Sequence, residues 1–359
     1  MKSLEASDNL CNFATRQKKC NKQMKGRFAP SPTGRMHLGN VFSAMLSWLS
    51  VKSKGGEWVL RIEDLDPQRS RLEYAEQLMD DLLWLGMTWD EGPQLVNGRC
   101  TPDAFFQSRR HDIYEQHLDR LRNMKTPTSE ESLVYPCYCT RADILATQAP
   151  HESDGRVVYK GTCRPTIKDP GNGGPIASDG VTSSDSGTKV LSRVGAAAQR
   201  LIVPDRTITF LDGHYGEQSV NLATQCGDFI VRRKDGAWAY QLAVVVDDAL
   251  MGITEVVRGR DLLLSSPQQM YVAELLGYPA PQFIHLPLLV NEQGQRLSKR
   301  DKSLDMGCLR ERYTPQEIIG LLAYHARLTD VMQPLTLTEL LPQFSWDKIP
   351  QQDIVVSAE

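Results

Sequence analysis

The stretch APSPTGRMHLGN, residues 29 to 40, constrains the fold of this chain more than any other segment. It places Pro30, Pro32 and Gly34 in a stiff turn, and apolar residues then recur at 41, 42, 45, 46, 48 and 49, the spacing of a helix face. The strand-like EWVLRI follows at 57 to 62, so the chain opens as turn, helix and strand, with another strand expected just before the turn. Leu72, Ala75, Leu78, Met79, Leu82 and Leu85 form an apolar stripe that predicts a second helix over 71 to 85, and Ile113, His117, Leu118 and Leu121 predict a third over 106 to 123. Strands alternating with helices call for a largely parallel sheet covered by helices.

The alternation breaks near residue 126 into short segments, and KDPGNGGPIASDGVTSSDSGTKV at 168 to 190 has little to bury, which predicts a surface insertion. Strands are expected again at RTITF (206 to 210) and GDFIVRR (227 to 233). YQLAVVVDD, 240 to 248, is a continuous β-branched run that suits a central strand. Ser266, Pro267 and Gln269 predict a capping-box start for a helix that closes near Gly277, HLPLLV at 285 to 290 predicts a strand, and Thr314, Pro315 and Glu317 begin a last clear helix. The expected organisation is a flexible extension over 1–26, the first half of an α/β domain over 27–125, an inserted subdomain over 126–225, the second half over 226–303 and a small helical region over 304–359. A chain starting at Met24 is expected to remain active, which assay of that trimmed form checks.

A net charge of −3 gives no global case for nucleic-acid binding, so any such surface must be local. Arg232, Arg233 and Lys234 are basic candidates that equally suit a solvated strand end. The first 26 residues are polar and basic, without the apolar core of a secretory signal, and no apolar run is long enough to span a membrane; the expected location is cytoplasmic.

Two segments carry anion-binding character. His37 and Gly39 stand at the expected start of the first helix, where unpaired N–H groups and positive potential suit phosphate. The missing side chain at Gly39 would let a nucleotide approach, and His37 would donate to a phosphate oxygen as charge moves onto it. RLSKR, 296 to 300, offers Lys299 as a movable point charge, Arg296 and Arg300 to hold the loop or its ligand, and Ser298 as a donor; a solvated basic turn is the plainer alternative. Together the two segments suit in-line attack on the α-phosphate of ATP, which needs positioning and charge stabilisation rather than a protein nucleophile.

The eight cysteines are unevenly spaced. Cys137, Cys139 and Cys163 fall in a short loop-rich region and suit a closed structural zinc site. The residues alone leave the fourth ligand open among His151, Cys226 and a water, with histidine favoured, because a phenol such as Tyr159 must have its pKa lowered by the metal. Cys11, Cys20, Cys100 and Cys308 receive no role.

PSPTGRMHLGN with RLSKR resembles the two signatures of class I aminoacyl-tRNA synthetases, and RFAPSPTG, RIEDLD, AYQLAVVVDD and VVRGRDLL resemble the glutamyl branch. The likeness runs from Arg27 to about Arg327. It implies an α/β, Rossmann-like catalytic core split by a zinc-binding, acceptor-type subdomain, with a small C-terminal helical region. It implies an ATP site at Pro30, Gly34, His37, Gly39, Asn40, Arg296, Ser298 and Lys299, with His37 and Lys299 catalytic and Mg²⁺ accompanying ATP. Arg27, Ser31, Glu63, Tyr240 and Arg258 are implied to line a glutamate pocket. Cys-x-Cys followed by Tyr-x-x-x-Cys is similar to the zinc site of the glutamyl-Q group, which implies Cys137, Cys139, Tyr159 and Cys163 as ligands. Only 59 residues follow the basic loop, too few for the usual anticodon-gripping domain. The implied enzyme is therefore a ligase that activates glutamate without tRNA and esterifies queuosine at the wobble position of tRNA(Asp). Its expected form is a monomer that meets the anticodon stem-loop and no membrane. The alternatives are a truncated glutamyl-tRNA synthetase charging a tRNA 3′ end, or a non-catalytic zinc-containing tRNA-binding protein.

Overall fold

A computed structural model describes residues 23–126, 130–140, 158–165, 196–297 and 304–356. The N-terminal extension, the Gly/Ser-rich stretch, His151, and the residues 298–303 that carry Ser298, Lys299 and Arg300 lie outside the described residues.

In chain order the elements begin with β1 (Lys25–Phe28), α1 (Leu38–Lys52), β2 (Glu57–Leu60) and α2 (Leu72–Trp84). A small hairpin of β3 (Leu95–Val96) and β4 (Arg99–Cys100) leads to α3 (His111–Asn123). Next come β5 (Val134–Cys137), β6 (Ala198–Leu201), β7 (Thr207–Asp212), β8 (Gly216–Asn221) and β9 (Phe229–Arg232). The chain continues through α4 (Tyr240–Leu250), β10 (Glu255–Gly259), α5 (Ser265–Leu276), β11 (Gln282–Leu286) and β12 (Leu289–Val290). It ends with α6 (Met306–Arg312), α7 (Pro315–His325) and β13 (Ile354–Val355).

The main sheet is parallel throughout, in the order β11-β10-β1-β2. Its strands come from both sides of the intervening segment. β5, β6 and β9 make a separate antiparallel sheet, and β7 pairs with β8 as a hairpin. The chain leaves β1 to one side and later fills the other with β10, so β1 and β10 form a switch point, where ligands of open parallel sheets sit beyond the strand ends.

α1 packs directly on β1. A Cβ at Gly26 would stand 2.3 Å from Val51 Cγ2, so only glycine admits this close approach. α1 is apolar nearly all round, with Leu38, Val41, Phe42, Met45, Leu46 and Leu49 buried between the sheet and the C-terminal helices. α7 opens at the expected Thr314, through a capping box in which Thr314 and Glu317 each satisfy the other's backbone N–H. Among the described residues no helix is long and apolar enough to cross a membrane.

Two expectations are corrected. The run at 240 to 248 is a helix, not a central strand. Leu242 to Val246 are buried on every side, so the run has no period to read, and the cost of valine in a helix is only a few tenths of a kcal/mol. The helix after β10 begins one residue before Ser266 and has no side-chain cap; the carbonyl of Leu263, just after a short turn at Arg260–Leu262, accepts the N–H of Ser266 at 3.1 Å instead. This releases Ser266 and Gln269 for another task. Gly277 does close that helix, at φ 74°.

Candidate active site

Beyond the C-terminal ends of β1 and β10 lies a cleft of about 410 Å³. The loop that leaves β1 is fixed by its own backbone: the carbonyl of Pro30 accepts from the N–H of Glu63 and that of Pro32 from Arg71, both at 3.0 Å. Gly34 turns at φ 149°, a conformation open to glycine. The loop ends at His37, the N-cap of α1. The imidazole Nδ1 accepts the N–H of Gly39 at 3.1 Å, and the side chain of Asn40 accepts the N–H of His37 at 3.1 Å. A nitrogen that accepts carries no proton, so the neutral ring holds its proton at Nε2.

Gly39 packs against the histidine. A Cβ there would lie 3.1 Å from the ring of His37, so the glycine makes room for the imidazole, and Gly39 is not among the residues lining the cleft. Arg27, Pro30, Ser31, Gly34, His37, Asn40, Glu63, Tyr240, Arg258 and Arg296 all line it.

The basic loop is located through its flanks. Arg296 lines the cleft, pairs with Asp261, and bridges to Val290. Beyond the loop, Asp305 bridges to the backbone of His37, and the N–H of Met306 donates to Met36 at 2.8 Å. Both flanks of the loop therefore adjoin the cleft.

The floor of the cleft is a network of buried charge. Arg61, fully buried, donates to Asp248 at 2.6 Å and to Glu63 at 3.1 Å; Arg27 donates to the same Asp248 at 3.3 Å. Burial alone would raise the pKa of Asp248, yet Arg27 and Arg61 hold it below the ordinary value. For Glu63 burial outweighs Arg61 and Arg27, and its pKa is raised. Asp247 turns to the other side, accepting from Arg110 at 2.6 Å, Gln107 at 2.7 Å and Tyr114 at 2.8 Å.

Arg258 stands apart. Its side chain is buried, at 5% exposure, and its donors reach only uncharged groups: His285, Tyr240, Gln269, Ser266 and the carbonyl of Leu262. Burial, reinforced by the nearby charge of Arg27, lowers its pKa. With Asp247 matched by Arg110, Asp81 by Arg35 and Asp261 by Arg296, the remaining arginines (27, 61 and 258) face two carboxylates (63 and 248), which leaves one positive charge. Burying a guanidinium without a counter-ion is costly, so the site favours an anion at Arg258.

A second cluster lies outside the cleft. The sulfurs of Cys137, Cys139 and Cys163 all lie within 4.8 Å of one another, a grouping that can hold a metal ion. The Tyr159 hydroxyl lies 3.6 Å from Cys137 Sγ and 3.8 Å from Cys139 Sγ, and it accepts the N–H of Cys163 at 2.6 Å. Burial pushes the Cys139 thiol up to about 11, a penalty that a bound cation would reverse. Cys226 is not part of the cluster.

A family model described as the catalytic domain of class I tRNA synthetases (E and Q) matches residues 23–328. The glutamyl-Q tRNA(Asp) synthetase of Nitratidesulfovibrio vulgaris strain Hildenborough is 41% identical over 339 residues, covering 94% of this chain and 96% of that protein. That of Symbiobacterium thermophilum is 43% identical over 338 residues, covering 93% and 96%. The chain belongs to the glutamyl-Q tRNA(Asp) synthetase family. A solved glutamate tRNA ligase from Elizabethkingia meningosepticum, in complex with its amino acid, superposes with a TM-score of 0.70 at 28% identity, over 94% of this chain and 67% of that one.

Arg61, Asp248 and His285 hold the cleft residues from behind without having been singled out by sequence, and Gln269, read there only as part of a helix start, holds Arg258. The doublet at the end of VVVDD and the charged alternation of RIED were the available signals, yet neither names its partners. Arg232 and Arg233 are engaged within the protein, Arg232 with Glu115 at 2.6 Å and over the Trp238 ring, Arg233 with Asp235 at 2.6 Å.

Proposed function

We propose that the chain activates glutamate with ATP in the absence of tRNA and transfers it to the queuosine of tRNA(Asp). The near end-to-end likeness to two glutamyl-Q tRNA(Asp) synthetases carries this reading. The charge of the cleft agrees with it: glutamate brings one net negative charge to a site with one unmatched arginine. One carboxylate of glutamate is taken by Arg258, the ammonium by Glu63, with Arg27, Ser31 and Tyr240 shaping the remainder. An aliphatic amino acid would leave Arg258 buried and unpaired, which is a strong basis for rejection.

ATP enters as its Mg²⁺ complex against the loop from Pro30 to Gly34, with His37, Asn40 and Arg296 beside its phosphates. An oxygen of the substrate α-carboxylate attacks the α-phosphorus and pyrophosphate leaves. His37, whose proton sits at Nε2, donates to a phosphate oxygen as charge accumulates there, and the ammonium of Lys299 does the same from the other side. In sequence Lys299 is three positions from Arg296, which lines the cleft. A queuosine hydroxyl then attacks the activated carbonyl, AMP leaves, and the ester forms. ATP and tRNA as substrates place this work in the cytoplasm.

Thiolates about 2.3 Å from a zinc ion stand roughly 3.8 Å apart in a tetrahedron. The 3.5 Å between Cys139 and Cys163 and the two distances from Tyr159 suit that figure, so Cys137, Cys139, Tyr159 and Cys163 are the proposed ligands. Zinc would organise the inserted segment and supply no chemistry. Freshly purified protein is expected to hold about one zinc per chain, and Cys163→Ser to hold little and to lose protease resistance in that segment. Zinc-free wild-type protein that is equally resistant would exclude the site.

The second reading, a glutamyl-tRNA synthetase that charges a 3′ end, draws on the likeness to the Elizabethkingia ligase. Charging of queuosine-containing against queuosine-lacking tRNA(Asp) separates the two when the 3′ end is blocked by periodate under conditions that spare the modified base. Labelled glutamate is expected on the queuosine-containing tRNA alone, blocked or not. Equal charging of both unblocked tRNAs, abolished by periodate, would favour the second reading.

A further inference from the structure

Arg258 has five N–H donors, and their partners divide in two. Gln269 Oε1 at 2.8 Å, Ser266 Oγ at 2.8 Å and His285 Nε2 at 3.2 Å lie behind the cleft, each nearly or fully buried. Tyr240 at 3.2 Å and the Leu262 carbonyl at 3.4 Å belong to residues that line the cleft, one taken by each terminal nitrogen. These two contacts are the longer ones on their respective nitrogens. The back of the guanidinium is therefore held firmly, and one N–H on each terminal nitrogen faces the cleft, the pair that a carboxylate takes in a two-pronged contact.

This hold requires His285 to accept at Nε2. A neutral imidazole has only one accepting nitrogen. Its Nδ1 lies 2.6 Å from Asp212 Oδ2, and a carboxylate only accepts, so the ring proton sits at Nδ1 and the lone pair of Nε2 faces Arg258 Nε at 3.2 Å, with Ser266 Oγ 3.3 Å from the same nitrogen. Burial also holds the His285 pKa below its ordinary value, in keeping with a neutral ring beside a guanidinium. Asp212 ends β7 in the β7–β8 hairpin, outside the main sheet, and is fixed by the N–H groups of His214 at 3.0 Å, Tyr215 at 2.9 Å and His285. His285 lies on β11, beside Arg258 on β10.

We propose that Asp212 and His285 are positioning residues that fix the tautomer and direction needed to aim Arg258 at a carboxylate of the amino acid, so that the β7–β8 hairpin contributes to amino-acid selection. This rests on Arg258 binding glutamate, as proposed above. Neither residue touches the substrate; both act through the arginine.

The full-length chain is assayed by glutamate-dependent ATP–pyrophosphate exchange, with KM for glutamate, KM for ATP and kcat measured separately. His285→Leu removes the acceptor behind Arg258 and is expected to raise the glutamate KM about 10- to 100-fold, with the ATP KM changed less than about twofold. His285→Gln presents a carbonyl oxygen to the same N–H and is expected to recover most of that loss. Asp212→Asn no longer dictates the ring tautomer and is expected to fall between them. A glutamate KM within twofold of wild type in both His285→Leu and Asp212→Asn overturns the proposal, as does a parallel rise of both substrates' KM values. If His285→Leu does not fold, Asp212→Asn decides alone by the same criteria. Arg258→Lys is the control: if it leaves the glutamate KM unchanged, the pocket itself is misassigned, whereas a raised KM there with unaffected His285 and Asp212 variants overturns only the positioning role.

Discussion

Replacing Arg258 by methionine is expected to lower kcat/KM for glutamate by about 10²- to 10³-fold, while the thermal midpoint moves by only a few degrees. The two effects separate because Arg258 is buried without a counter-ion. Methionine removes the desolvation cost of a buried guanidinium but leaves Gln269, Ser266 and His285 without their donor, and these opposing terms are each on the order of 1–3 kcal/mol. The amino acid has no such compensation, since its carboxylate loses a charge-assisted, two-pronged partner. Pyrophosphate exchange with thermal unfolding of the same preparation checks both halves. Collapse of the fold with activity would make Arg258 a structural residue, and retained activity would remove it from the pocket.

The second large effect is at His37, which has two tasks that substitution can separate. Its Nδ1 caps α1, and its Nε2 proton is the one proposed to serve the phosphates. Alanine loses both, and is expected to cost about 1 kcal/mol of stability for the cap and about 10²- to 10³-fold in exchange rate for the donor. Asparagine is itself a good N-cap, so His37→Asn should retain stability and still lose the rate. Equal stability loss in both variants would refute the capping role. An active His37→Asn would show that the imidazole donates nothing to the reaction.

How far these residues were legible from sequence depends on the range of the interactions that define them. The opening turn, α1 and β2 follow from a stripe of apolar residues and a stiff turn within forty residues, where local spacing suffices. The capping box at Thr314 is likewise local. The run at 240 to 248 was not legible, because a segment buried on all sides has no polar face to mark its period. The pocket divides the same way. Arg27, Glu63, Tyr240 and Arg258 stand in motifs that resemblance could align, and the structure brings them to one cleft. Their partners are long-range: Arg27 meets Asp248, 221 positions away, and Asp212 meets His285 across 73. Nothing in HLPLLV marks its histidine as more than a strand residue. Gly39 shows a subtler limit, since its need for space was visible while the neighbour that uses the space, the ring of His37, was not.

The charge balance of the cleft also agrees with the proposal that glutamate is activated before any RNA arrives. The unmatched arginine, the Arg27–Asp248–Arg61–Glu63 network and the histidine cap are all formed among the described residues of the protein itself. Pyrophosphate exchange with purified protein, ATP and glutamate, with every trace of tRNA removed by nuclease, tests this most directly. The expected result is exchange that depends on glutamate, is not raised by added tRNA and is lost in His37→Asn. Exchange that appears only when tRNA is restored, or that runs equally well with an uncharged amino acid, would contradict it.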